Sequence, residues 1–146
     1  MSEDTFSKVS RSDSLLYGPP KLILCGFPAA AQPKLQKVLA MVGLEKIPAV
    51  WAAENQTQMT LTELLELPAG SGEGQSSSLP RTLIVSGITE NQLHGLMNAC
   101  RQSGMQGALW ATLTPTSESW TLKYLLEHLL AERETFRQQQ RPGRDA

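Results

Sequence analysis

Cysteine is scarce in this chain: Cys25 and Cys100 are the two among 146 residues. That number excludes a disulfide framework, and both sit inside apolar patterns, as small buried hydrophobes do in a reducing cytosol. Aromatic residues make up 5%. No apolar run approaches the roughly eighteen residues that a membrane-spanning helix needs, so no membrane partner is expected. An excess of one charge is also missing, with a formal net charge of −1. Residues 21–67 carry Lys21, Lys34, Lys37 and Lys46 against Glu45, Glu54, Glu63 and Glu66. Residues 81–130 carry Arg81, Arg101 and Lys123 against Glu90, Glu118 and Glu127. A neutral folded part has no field to draw in a phosphate backbone, which argues against nucleic acid as the main partner. The opening MSEDTFSKVSRSDS lacks a basic stretch followed by an apolar one and does not read as a secretion signal. The expectation is a soluble cytoplasmic protein.

What the chain does contain is a repetition. Slid by 61 positions without a gap, residues 22–66 fall on 83–127, and ten of the 45 pairs are identical. They are Leu22/Leu83, Ile23/Ile84, Gly26/Gly87, Leu35/Leu96, Gly43/Gly104, Thr60/Thr121, Leu61/Leu122, Leu64/Leu125, Leu65/Leu126 and Glu66/Glu127. Chance at roughly one in fifteen per position gives about three. The identities cluster at apolar and glycine sites, which set a fold, so the chain reads as a duplicated unit.

Residues 1–20 are rich in Ser and Asp, end in Gly18-Pro19-Pro20 and are expected to be a disordered tail. The first copy spans 21–67. Leu22-Ile23-Leu24-Cys25 predicts a buried strand that stops at Gly26. Pro33 suits the first turn of a helix that carries Leu35, Val38, Leu39 and Val42 on one face and stops at Gly43. Ile47–Ala53 predicts a peripheral strand, because Pro48 cannot donate to a ladder. A short helix with Leu61, Leu64 and Leu65 inward ends by Pro68. Residues 68–80, PAGSGEGQSSSLP, have the composition of a flexible linker.

The second copy, 81–137, repeats the order. Leu83-Ile84-Val85 is a strand ending at Gly87, and Thr89-Glu90-Asn91-Gln92 is a capping-box pattern. It opens a helix with Leu93, Leu96, Met97 and Cys100 inward, which stops at Gly104. Ala108–Thr114 is the fourth strand, and Trp120 begins a longer helix with Leu122, Leu125, Leu126, Leu129 and Leu130 on one side. Residues 138–146 form a polar tail. The expected fold is α/β: a duplicated β-α-β-α unit forming one four-stranded sheet covered by helices, with a pseudo-twofold axis. Two β-α-β units in series are also the elements of a ferredoxin-like fold.

An apolar strand ending in Gly, a helix ending in Gly, a second strand and then Trp-Thr-Leu-x-x-Leu-Leu-Glu together resemble a small bacterial family known as DUF 3783, a domain of unknown function. Leu83-Ile84-Val85-Ser86-Gly87, Gly104, Trp120-Thr121-Leu122 and Leu125-Leu126-Glu127 carry the resemblance. The first copy departs from it, with Met59 where the tryptophan would stand and a last helix cut short. The resemblance implies a tandem with a degenerate first copy. It implies a fold and no activity.

Candidate sites are few. Gly26 and Gly87 each follow a strand and precede a helix, where backbone could approach an anion, and they are the candidate anion or ligand turns; neither belongs to a GxGxxG or GxxxxGK[ST] pattern, and turn geometry is the plainer account of both. His94 and Cys100 lie six apart with Cys25 as a possible third member, and His128 stands on the last helix. No CxxC, HxxxH or HExxH occurs, so no catalytic set, metal or cofactor is expected. Trp51 and Trp110 lie on edge-like strands where one side can stay exposed. Trp120 enters the last helix as a staple, and Phe136 follows on its overhang. These four are the candidate partner contacts. The leading expectation is therefore a non-enzymatic protein-interaction or assembly module acting on a protein partner or on a second copy. The alternative is a small-ligand regulatory domain with its pocket at the seam between the copies.

Overall fold

The computed structural model describes residues 14–105 and 107–139. Four strands form one mixed sheet: β1 (Lys21–Cys25), β2 (Ala49–Ala52), β3 (Thr82–Ser86) and β4 (Leu109–Thr112), in the order β2-β1-β3-β4. β1 runs parallel to β2 and β3 parallel to β4, while β1 and β3 are antiparallel with Ile23 facing Ile84. The helices are α1 (Gln32–Met41), α2 (Leu61–Leu65), α3 (Glu90–Gln102) and α4 (Leu122–Gln139), with single 3-10 turns at Ala29–Ala31, Glu54–Gln56 and Ser117–Ser119.

Strand alternation distributes the apolar residues to both faces. Leu22, Leu24, Leu83 and Val85 point to the face covered by α1 and α3 and join Leu35, Val38, Leu39, Leu96 and Cys100. Ile23, Cys25 and Ile84 point to the other face and join Leu61, Leu64 and Leu65 of α2 and Leu122, Leu125 and Leu126 of α4. The result is a three-layer sandwich whose central strands are buried on both sides. This is why β1 and β3 read as continuous apolar runs rather than alternating ones.

Local chemistry sets the helix ends. Thr89 caps α3, its hydroxyl accepting from Gln92 N–H at 3.0 Å while Gln92 accepts from Thr89 N–H at 2.8 Å. Thr60 and Glu63 form the same reciprocal box on α2, at 2.9 and 3.1 Å. α1 and α3 both end in a Schellman motif at Gly43 and Gly104: Leu44 N–H donates to Leu39 O at 2.8 Å, and Met105 N–H to Cys100 O at 2.9 Å. Leu44 and Met105 are buried, completing each stop.

Several expectations change. Each β-α-β crossover joins neighbouring strands, so the sheet is not ferredoxin-like, where another strand splits the pair. Residues 14–20, assigned to the tail, are placed: Leu15 bridges Thr89, Leu16 N–H donates to Ile88 O at 2.8 Å, and Gly87 N–H donates to Tyr17 O at 3.2 Å. Residues 1–13 and 140–146 of the two expected tails lie outside the described residues. The segment 68–80 is held along its length. Gly70 N–H donates to Ala49 O at 2.7 Å, Trp51 N–H to Ser71 O at 2.8 Å, Gly74 N–H to the Gln32 side chain at 2.7 Å, and Ser78 to the Glu54 carboxylate. Leu130 is 40% exposed rather than inward, because it lies at the margin of the helical stripe formed by Leu122, Leu125, Leu126 and Leu129.

Gly26 and Gly87 are required by close packing. Both have positive φ, and a Cβ on Gly26 would meet Leu79 O at 2.3 Å, while one on Gly87 would meet Gly18 O at 2.5 Å. Gly43 also has positive φ, but a Cβ there meets nothing within 4 Å. Gly43→Ala should therefore cost only the left-handed backbone penalty, about 1 kcal/mol, and Gly26→Ala at least about twice that. Urea unfolding of the two variants checks this, with the midpoint falling further for Gly26→Ala at an unchanged slope.

Candidate functional site

The candidate residues fall in three places. Cys25 and Cys100 are both buried, on opposite faces of the sheet. Burial pushes the Cys25 thiol up to about 12. It raises Cys100 to about 11, with the nearby Arg81 charge pulling the other way. His94 and His128 are exposed on α3 and α4. The sheet thus separates the two thiols, and neither imidazole joins them. Among the described residues, no group of three or more His, Cys, Asp or Glu could hold a metal, and no helix is long and apolar enough to cross a membrane.

Among the described residues, neither Gly26 nor Gly87 lines any of the three clefts described below. The backbone of Leu79-Pro80-Arg81 lies against Gly26, and that of Gly18-Pro19-Pro20 lies against Gly87. These contacts occupy the space beside each turn.

The tryptophans divide. Trp51 is 4% exposed and packs edge-on against Phe27, with ring centroids 6.0 Å apart. The expectation that it is a surface contact is corrected: its side chain turns to the α1 face, and residues 70–72 cross over its backbone. Trp110 is half-buried on β4. It lines a cleft of about 390 Å³ with Met97, Cys100, Arg101, Met105 and Ala108. Trp120 is half-buried at the entry to α4, and its ring meets Tyr124 at 4.7 Å and His128 at 5.3 Å. Phe136 is 61% exposed on the same helix, beside a shallow groove that includes His128, Ala131 and Glu132.

A cleft of about 290 Å³ lies beside β2, between Gln36, Leu39, Ile47, Ala49 and Trp51, and is bordered by Gly70 and Glu73 of the crossing segment. The two clefts occupy the two outer edges of the sheet. β2 is covered, with Val50, Trp51 and Ala52 all buried, whereas Trp110, Ala111 and Thr112 of β4 are only half-buried. Sequence reasoning identified Trp110 but not this difference. The signal lay in Gly70 and Gly72, since a Cβ on Gly72 would meet Trp51 O at 2.1 Å.

The raised thiols give a pH test. Each is neutral in the folded chain at a pH where the unfolded chain, with thiols near ~8.5, has ionised. Their contribution is complete below pH ~8.5 and is lost as pH rises toward the folded values. Stability should therefore fall between pH 9 and 11, and the fall should be shallower in a Cys25→Ala, Cys100→Ala double variant. Denaturant midpoints across that range measure it, with thiol-reagent labelling at pH 8 expected to be slow in the native protein.

Residues 81–136, which hold β3, α3, β4 and most of α4, match the family described as Domain of unknown function (DUF3783). No curated protein and no solved structure matches the chain.

Proposed function

We propose that the chain is a tandem of one β-α-β-α unit, residues 21–67 being a diverged copy of the matched unit, and that it serves as a non-enzymatic protein-interaction or assembly module. The duplication is supported by register. Adding 61 to each number turns the pair Leu22/Ala49 into Leu83/Trp110, both of which are observed. Two positions pair with their own counterparts, Ile23 with Ile84 and Thr60 with Thr121. Leu61 N–H donates to Trp120 O at 2.9 Å, and the counterpart bond, Leu122 N–H to Met59 O, is also 2.9 Å. A pseudo-twofold axis through the two self-paired positions accounts for all of these.

The interaction reading rests on where the halves differ. The β2 edge is closed by the chain itself, and the β4 edge, with Trp110 beside it, has no cover among the described residues. An uncovered edge strand is a template for another chain unless it is blunted. β4 is short, but among the described residues it carries neither a proline nor a charged side chain. The exposed Tyr124 and Phe136 on α4 extend apolar surface on the same half. Two buried free cysteines fit a reducing, cytoplasmic setting. A small-ligand pocket at the seam has less behind it, because backbone packs directly against both glycines.

Crosslinking in native extract followed by affinity purification tests the reading. The expected result is a stoichiometric companion, or a second copy, that is lost in Trp110→Ala or Phe136→Ala and retained in Met41→Ala, which alters an exposed apolar residue of the first half. A protein that stays an indifferent monomer at high concentration and captures nothing dependent on Trp110 or Phe136 overturns it.

A further inference from the structure

Resting on the interaction reading, we infer that the β4 edge binds an extended, acidic segment of a partner protein, which joins the sheet as an added strand. The backbone carries the first step. Leu109 N–H donates inward to Arg81 O at 2.8 Å and Leu113 N–H to Val85 O at 3.0 Å, so by strand alternation Trp110 and Thr112 turn their N–H and C=O groups outward. Their counterparts on β2 are Ala49 and Trp51, and these groups are taken up by the chain's own crossing segment, through Gly70 N–H to Ala49 O and Trp51 N–H to Ser71 O. The first half thus displays the kind of occupant this edge accepts: an extended stretch that exchanges backbone hydrogen bonds with alternate residues. Among the described residues, no backbone partner takes the outward groups of Trp110 and Thr112.

Charge and shape carry the second step. The cleft beside β2 is acidic, holding Glu45 and Glu73. The cleft beside β4 holds Arg101, and Arg133 reaches from α4 to its rim by donating to Gly107 O at 2.5 Å. Arg101 is exposed and has no ion pair among the described residues, where His128 with Glu132 is the salt bridge found. The floor is apolar, with Met97, Met105 and Trp110. Gln36, whose side chain binds Glu73 at 3.0 Å in the first half, has Met97 as its counterpart. An incoming strand alternates its side chains, so one set enters the cleft, where Met97, Met105 and Trp110 lie beside Arg101, and the other turns to the α4 face, from which Arg133 reaches the rim. Carboxylates complement that rim, and guanidinium groups bind them bidentately.

A synthetic ten-residue peptide alternating valine and glutamate is the probe, with the full chain. Controls are the same peptide with lysine for glutamate and a version N-methylated at alternate backbone nitrogens. Amide hydrogen exchange is expected to show protection of Trp110 and Thr112 with the acidic peptide alone, leaving Ala49 and Trp51 unchanged. Arg101→Glu, an exposed change that leaves the core intact, should weaken binding at least about tenfold. Thr112→Pro removes an outward N–H and should abolish protection at that edge. Equal binding of the lysine or N-methylated peptide, indifference to Arg101→Glu, or no binding at millimolar peptide each overturns the inference. Protection without peptide also overturns it, assigning the edge to a second copy where it rises with protein concentration and to the chain itself where it does not. Failure of this test while the crosslinked companion still depends on Phe136 would leave the interaction reading standing and remove only the acidic strand.

Discussion

The antiparallel pairing of β1 with β3 governs the molecule. Both strands are buried on both faces, so each must be apolar on each side, and each needs helices above and below it. With β1 and β3 at the centre, the crossover partners β2 and β4 can only take the outside positions. The pairing also brings the end of each central strand against the segment that leads into the other. Gly26 lies against Leu79-Pro80-Arg81 and Gly87 against Gly18-Pro19-Pro20. A side chain at either glycine would push the incoming backbone away and pull the central pair out of register. Burial of Leu22, Ile23, Leu24, Leu83, Ile84 and Val85, at about 1.5–3 kcal/mol each, depends on that register being kept.

Much of this was legible because it is written in local patterns. The strand stops at Gly26 and Gly87, the helix stops at Gly43 and Gly104, and the box at Thr89 and Gln92 are short-range signals with defined geometry, and the structure places them as expected. Strand order was not legible. An apolar run such as Leu22-Ile23-Leu24 states that a strand is buried on both faces without naming its neighbours, and the same elements are compatible with a split crossover. The position of Trp51 was missed for a related reason. Alternation says that its side chain and that of Val50 point to opposite faces, but not that residues 70–72 would close the edge above it.

That segment is also where composition misled. Gly, Ser and Gln between two prolines describe a linker when nothing constrains them. Here the glycines permit close approach to β2, and the Gln32 side chain both donates to Gln75 O at 2.9 Å and accepts from Gly74 N–H. Gln32 is 3% exposed, a buried polar group whose position makes sense only once its partners are placed. Long-range hydrogen bonds of this kind leave no period in a sequence.

The contrast between the covered β2 edge and the β4 edge, uncovered among the described residues, follows from a difference at the end of the second helix in each half. After Leu65, α2 is brought to a stop. Pro68 cannot extend a helix and biases Leu67 away from helical backbone, while the Lys21 ammonium takes the free carbonyls of Leu65, at 2.7 Å, and Leu67. The chain must then leave the helix axis, and it passes along β2. In the other half the position of Pro68 is held by Leu129, which packs partly against the core, and the position of Lys21 is held by Thr82, which cannot reach a helix end. Nothing halts α4, so residues that would have crossed the β4 edge stay in helix as far as Gln139. One topology therefore yields one edge closed by the chain and one that has no strand-like cover among the described residues, where α4 reaches Gly107 through Arg133. In a fold whose two halves must each bury a central strand, changing the helix stop is a small alteration that uncovers an edge without disturbing the core.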